Sequence, residues 1–360
     1  MAAELGHARD ELAVGVHRSA ANPDSLMMHL EVEFEVRIES ASTSWRRMEL
    51  TLGRAAEKAV LGRNRSLRRV VAAAQWLSNC HVPERDTWLQ PSRRGVTRRA
   101  VQTELAAIIG AMRTLQEMDG HGGVAALGDW YGNTHYAVRV IRHLASRGVR
   151  RFVHTGDFAY DFRPGFLRAV EAELKRFDAD LAFVPGNHED YDYLESVPID
   201  DDGTGRISER IIYLPRGVRW NWDSRTWMGL GGAASIDRVH RKQSAPGKQW
   251  WPQELITAVD VQTATAGGHV DVLITHDAPS SVHLELPPFS WIPPEDEAAA
   301  IEQRSTLERV VESVTPEVLV HGHHHRYQIA RALTGSGHEY LAVSLDCDGS
   351  PFDWNSHLVA

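Results

Sequence analysis

From residue 124 to 346, short apolar runs alternate with segments whose apolar positions recur every three or four residues, a pattern of strands packed between helices. The pattern predicts strands at 124–129, 151–157 and 181–188 and helices at 135–147 and 165–177. Each of these strands runs into polar residues, and loops at the carboxyl ends of strands are where α/β folds place their ligand sites. Shorter strands follow at 210–214, 218–222 and 226–230, each bounded by turn residues. A strand at 270–275, a helix at 297–314 and strands at 318–321, 327–333 and 340–345 complete the expectation.

The first 120 residues follow another pattern. Residues 29–39 alternate apolar and charged side chains as an exposed strand does, while 54–79 and 96–117 have helical spacing with basic faces. Pro83, Pro91 and Gly95 separate the two helical stretches. The expected organisation is therefore a basic, partly helical extension over 1–120 and a catalytic domain over 121–360. Met118 stands just before the first strand of the second part, so a start there is expected to retain all of that part.

With 42% apolar and 24% charged residues in a chain of 360, the composition is that of an ordinary globular protein. No uninterrupted apolar run is long enough to span a bilayer, and residues 1–10 lack a basic stretch followed by an apolar block, which sets a cytoplasmic expectation with no membrane contact. Cys80 and Cys347 are too few for a disulfide framework or a thiolate metal site, so any bound metal needs oxygen and imidazole donors. The net charge of −9 is unevenly spread: residues 46–99 carry 13 basic and 4 acidic side chains, including four adjacent arginine pairs. Such a run is expected either to contact nucleic acid phosphates or, more simply, to be an amphipathic helical pair packed on the catalytic domain or a poorly ordered extension; no DNA-binding motif accompanies it.

Five short segments carry hard-metal donors just past expected strands: Gly128-Asp129, Gly156-Asp157, Gly186-Asn187-His188-Glu189, Thr275-His276-Asp277 and Gly322-His323-His324-His325. Alone, each is a common turn or a satisfied polar residue. Their order and placement together resemble the calcineurin-like metallophosphoesterase family, whose signature runs Asp-x-His, Gly-Asp, Gly-Asn-His-Asp/Glu, His and Gly-His-x-His. The resemblance covers residues 124–346. It implies a four-layer α/β/β/α sandwich, two mixed β-sheets flanked by helices, with two divalent metal ions at the sheet edge. By that resemblance Asp157 bridges the metals, Asp129 and His325 hold the first, Asn187, His276 and His323 hold the second, and His188 is the general acid or a phosphate-contacting residue. The implied reaction is hydrolysis of a phosphate mono- or diester by a metal-bridging hydroxide, a nucleotide or nucleic acid being one substrate class. Asp, Asn and His donors suit Mn, Fe, Zn or Ni. Glu189 and Asp190 are candidates for orienting the His188 ring.

The chain departs from the family pattern at Tyr131, where the first motif has histidine. Three readings stay open: a packed tyrosine beside a weak first site, a phenolate ligand, or replacement by Tyr160, since Gly156-Asp157-Phe158-Ala159-Tyr160 resembles the Gly-Asp-x-x-Tyr of purple acid phosphatases. Downstream, Arg238 and Arg241 are candidates for clamping a phosphate, and Trp250 or Trp251 for stacking on a base or filling the core. His324 is expected to turn away from the metals. The Gly-Asp-x-Val-Asp-Arg-Gly of protein phosphatases is absent. Tyr131 also leaves room for an alternative to an enzyme: a binding or regulatory protein on the same scaffold with one metal or none. No protein partner can be read from the sequence.

Overall fold

Helical segments between the apolar runs force neighbouring strands to pair in parallel, since a parallel pair needs a crossover. The computed structural model shows the result, describing residues 113–244, 250–284 and 291–359 together with the backbone of four strands in the first 83 residues. The chain divides into two units, Met1–Ala111 and Met112–Ala360. In the first, β1 (Asp10–His17), β2 (His29–Ser40), β3 (Trp45–Leu50) and β4 (Val82–Pro83) form an antiparallel sheet in that order. The strand expected at 29–39 falls on β2. The helix expected at 54–79 lies outside the described residues, as does that at 96–117 up to residue 112; the described remainder holds a single 3₁₀ turn, Gln116–Met118.

The second unit holds two six-stranded mixed sheets. One comprises β5 (Gly123–Leu127), β6 (Val149–His154), β7 (Asp180–Phe183), β8 (Gly205–Arg206), β9 (Ile211–Tyr213) and β16 (Ser356–Leu358), in spatial order β16-β5-β6-β7-β9-β8. The other comprises β10 (Val218–Trp222), β11 (Arg225–Leu230), β12 (Val272–Thr275), β13 (Val318–His321), β14 (Gln328–Leu333) and β15 (Glu339–Ser344), in order β10-β11-β12-β13-β15-β14. In both sheets the four central strands are parallel and the outer two antiparallel.

Side-chain alternation along each strand builds the layers. From β5, Val124 and Ala126 meet Trp220, Trp222, Trp227, Ile274 and Val320 of the second sheet in the central core. Ala125 and Leu127 point the other way, into a core shared with α1 (Thr134–Ala145) and α2 (Pro164–Arg176). On the far side, Leu273 and Leu319 pack against α5 (Ala258–Thr265) and α6 (Pro294–Val314). The order is helix, sheet, sheet, helix, the expected four-layer sandwich. α1 buries Tyr136, Ala137, Val140, Ile141 and Leu144, one face at helical spacing, and begins where Asn133 Oδ1 accepts the Tyr136 N–H at 3.1 Å.

Strand lengths differ from expectation where the chain turns into loops. β5 stops at Leu127 and β7 at Phe183, whereas their apolar runs suggested strands to 129 and 188. Val184 still donates to His154 O at 3.1 Å, but Pro185 has no N–H to continue the ladder. Four short helices were not expected: α3 (Tyr191–Ser196), α4 (Arg238–Ser244), α5 and α7 (Phe352–Asn355). Neither was β16, which closes the sheet edge against β5. No helix among the described residues is long and apolar enough to cross a membrane.

Candidate metal centre

The loops leaving β5, β6, β7, β12 and β13 meet at the carboxyl ends of the parallel strands, and backbone hydrogen bonds tie them to one another. Trp130 and Tyr131 both donate to Asp157 O, at 3.0 and 2.8 Å, Asp190 donates to Tyr160 O at 2.8 Å, and Gly322 to His276 O at 3.1 Å. Tyr131, Asp157, His323 and His325 all have positive φ, between 49° and 65°, a conformation that costs free energy and here turns side chains inward. Two glycines give the carboxylates room: a Cβ on Gly186 would overlap Asp157, and one on Gly322 would overlap Asp129.

Asp129, Asp157 and His276 are fully buried and offer donor atoms within 4.8 Å of one another. His276 Nδ1 lies 3.0 Å from Thr155 O, a carbonyl that can only accept, so Nδ1 carries the proton and Nε2 is left with its lone pair. That lone pair faces Asn187 Oδ1 at 2.9 Å and Asp157 Oδ2 at 3.4 Å. Three acceptors converging on one point require a cation or an added proton among them. Asp157 Oδ2 is buried without a hydrogen-bond partner. Burial works to lower the His276 pKa, but Asp157 outweighs it and raises the value to about 10, so that in the absence of a cation the ring itself takes the proton. A divalent ion fits in its place. Burial lowers the His323 pKa, so that this ring is neutral beside His276, with ring centroids 5.0 Å apart.

The orientation of Asn187 is itself determined. Glu254, buried, accepts the Ser235 O–H at 2.6 Å and the Ser235 N–H at 2.8 Å, leaving Ser235 Oγ to accept from Asn187 Nδ2 at 3.0 Å. With its NH₂ so held, the amide turns Oδ1 toward His276. Burial raises the Glu254 pKa to about 7, and Ser235 partly offsets that rise.

On the other side of the cluster, Asp129 accepts from the His323 N–H at 3.1 Å and lies 3.3 Å from His325 Nε2. Tyr131 Oη stands 2.6 Å from the same nitrogen. Burial, together with Asp157 and Asp129, holds the Tyr131 phenol far above its ordinary pKa. Tyr160 is 42% exposed, its ring tilted against that of Tyr131 with centroids 5.4 Å apart, with burial and Asp157 pushing its pKa up to about 12. His188 fits edge-on between the two tyrosine rings, at 5.2 and 5.3 Å. Its backbone N–H donates to Asp157 Oδ1 at 2.9 Å.

Glu189 and Asp190 do not support the His188 ring, contrary to expectation. Glu189 is turned into the protein, where it accepts backbone N–H groups of Asp157 and Ala159 at 3.0 Å and of Gly186; burial raises its pKa to about 8. Asp190 caps α3 through Tyr193 N at 3.1 Å. The ring is held instead by Arg241, whose Nη1 lies 3.2 Å from His188 Nδ1 and 3.2 Å from Asn187 O, while its Nε binds Asp237 at 2.7 Å and its Nη2 binds Ser235. Arg238 reaches elsewhere, to buried Asp296 at 2.7 Å and over the Trp250 ring. Trp251 lies in the core, and His324 turns to Asp277 at 2.9 Å.

Asn355 was invisible to sequence reasoning. From α7 it accepts from Trp130 Nε1 at 2.9 Å and donates to Asp346 O at 2.6 Å and Asp129 O at 3.4 Å, more than 200 residues from the loop it braces. Nor did any signal mark Glu254.

Two mixed sheets packed face to face, with oxygen and imidazole donors gathered at their strand ends, define the metallophosphatase type of fold. The chain belongs to the calcineurin-like phosphoesterase family, whose profile matches residues 123–327, more than half of its length. Comparison with curated proteins returns no match. Among solved structures it is similar to TT1561 of Thermus thermophilus, at 11% identity over 62% of this chain and 90% of that one, with a TM-score of 0.38.

Proposed function

We propose that the protein hydrolyses phosphate mono- or diesters with a divalent cation held by Asp157, Asn187, His276 and His323. The observation that supports this most is the convergence of His276 Nε2, Asn187 Oδ1 and Asp157 Oδ2, three acceptors with no proton donor among them once the His276 Nδ1 proton is engaged by Thr155 O. Mixed oxygen and imidazole donors suit Mn, Fe, Zn or Ni. Such an ion supplies Lewis acidity toward a phosphoryl oxygen and toward water.

The chain's own groups do the remainder. A guanidinium only donates, so Arg241 makes His188 Nδ1 an acceptor and leaves the ring proton on Nε2. His188 therefore aims its Nε2–H at the departing alkoxide oxygen, a hydrogen bond to the charge that develops there. Burial lowers the His188 pKa, Asp157 opposes that effect, and Arg241 adds to it. Tyr160, exposed beside this ring, forms part of the rim over which an ester would approach.

A second reading, a binding or regulatory protein, is favoured by Tyr131, which stands where the family pattern has histidine. Hydrolysis of p-nitrophenyl phosphate and its bis-ester separates the two. Protein stripped with chelator and restored with Mn is expected to turn over at least one ester, and His188→Ala is expected to lower kcat about 10²- to 10⁴-fold, the range for a positioned proton donor. Full metal loading with no turnover on either ester would establish the binding reading.

A further inference from the structure

Building on the proposed metal-dependent function, we infer that the centre is mononuclear: Tyr131 closes the position that the family pattern gives to a first metal, and the single ion sits with Asp157, Asn187, His276 and His323. The two halves of the cluster differ in how their polar atoms are satisfied. On the Asn187 side, Asp157 Oδ2 is buried without a hydrogen-bond partner, and a lone pair of His276 faces two oxygens. A buried carboxylate oxygen left in this state keeps its desolvation penalty uncompensated, which a cation relieves.

The Asp129 side has no such need. Asp129 already receives the His323 N–H at 3.1 Å and has His325 Nε2 at 3.3 Å. His325 Nε2, the nitrogen that would ligate there, is occupied by Tyr131 Oη at 2.6 Å. The Tyr131 backbone, at φ 51° and anchored to Asp157 O at 2.8 Å, directs its ring between His188 and His325. A histidine would present a lone pair at this point. A phenol presents a hydroxyl already engaged with imidazole, so the side chain converts a ligand position into a hydrogen-bonded wall.

Tyr160 leans against Tyr131 with ring centroids 5.4 Å apart and is 42% exposed, which makes it an outer layer of the same wall. The reaction thereby loses one of the two cations that usually flank the phosphoryl group. Arg241 and His188, joined through Nη1 and Nδ1, are a positive and a hydrogen-bond-donating group beside that cluster, the His188 backbone N–H reaching Asp157 Oδ1.

The test is metal stoichiometry by titration of chelator-stripped protein with Mn(II), followed by calorimetry and electron paramagnetic resonance. Wild type is expected to bind one ion per chain with the spectrum of an isolated Mn(II), and Tyr131→His to bind two with an exchange-coupled spectrum. His325→Gln is expected to leave the single ion in place, whereas Asn187→Ala weakens it beyond the roughly 10- to 100-fold that loss of a mere supporting residue causes. Two ions in wild type would overturn the inference and leave the hydrolase reading intact. A tyrosinate-to-iron charge-transfer band in Fe(III)-loaded wild type, absent from Tyr131→Phe, would overturn it by making Tyr131 a ligand. No bound ion in wild type would overturn both readings.

Discussion

Arg241 and His188 meet through Nη1 and Nδ1 at 3.2 Å, a contact in which the arginine can only donate and the imidazole must accept. A guanidinium at this position fixes the ring tautomer with the proton outward. Arg241 also holds Asn187 O and Ser235, so one side chain positions both the His188 ring and the Asn187 amide proposed to bind the metal.

Arg241→Ala is expected to lower kcat about 10- to 100-fold with a small change in KM, less than the loss from His188→Ala. Because both act in part through one imidazole, the losses are not additive, and the double variant is expected to lose less than the product of the two single losses. Steady-state kinetics of the four proteins check this. Full additivity would show that Arg241 acts independently, for example directly on the phosphate.

Ser235→Ala or Glu254→Gln removes the support that turns Asn187 Oδ1 inward. Metal affinity is expected to fall about 10- to 100-fold, as for other residues that orient a ligand. Calorimetric titration of each variant with Mn measures the loss, and circular dichroism verifies that the fold is kept.

The limits of sequence reading are visible in this same chain of contacts. The strand order and the order of the donor segments were legible because alternation along strands and turn residues at their ends are local signals. Strand ends were overrun at Asp129 and His188 because the apolar run continues into loops that are buried for another reason, the packing of the site. Asn355 and Glu254 carry no local pattern; their partners lie far away in sequence and only the fold joins them. Arg241 was noticed as a phosphate clamp because charge is visible in sequence, but its partners are not.

Asn355→Ala is expected to lower stability by about 1–3 kcal/mol, because the Trp130 indole N–H loses its buried acceptor and Asp346 O its donor. Denaturant unfolding of the metal-free proteins gives the difference. A weaker metal site should accompany it, since the β5 loop, whose Trp130 and Tyr131 N–H groups hold Asp157 O, loses its brace.

Glu171 provides a pH signature away from the centre. Burial raises its pKa, partly offset by the Ser208 hydroxyl and by Lys175 at 3.4 Å; Arg210 N donates to it at 3.2 Å and Glu209 lies close by. A carboxyl whose folded pKa exceeds its unfolded value binds more protons in the native state, so its contribution to stability falls as pH rises from the ordinary carboxylate value, about 4.3, through the raised one. Glu171→Gln removes that dependence. Melting temperatures of the variant are expected to decline less than wild type over this window, and parallel curves would contradict the assignment.

Turnover followed in the same titration that counts bound Mn tests the central claim most directly. Hydrolysis of p-nitrophenyl phosphate or its bis-ester is expected to rise in proportion to the ion bound by Asp157, Asn187, His276 and His323, and to be lost in Asn187→Ala. A protein that binds the ion fully and hydrolyses neither ester would contradict the account.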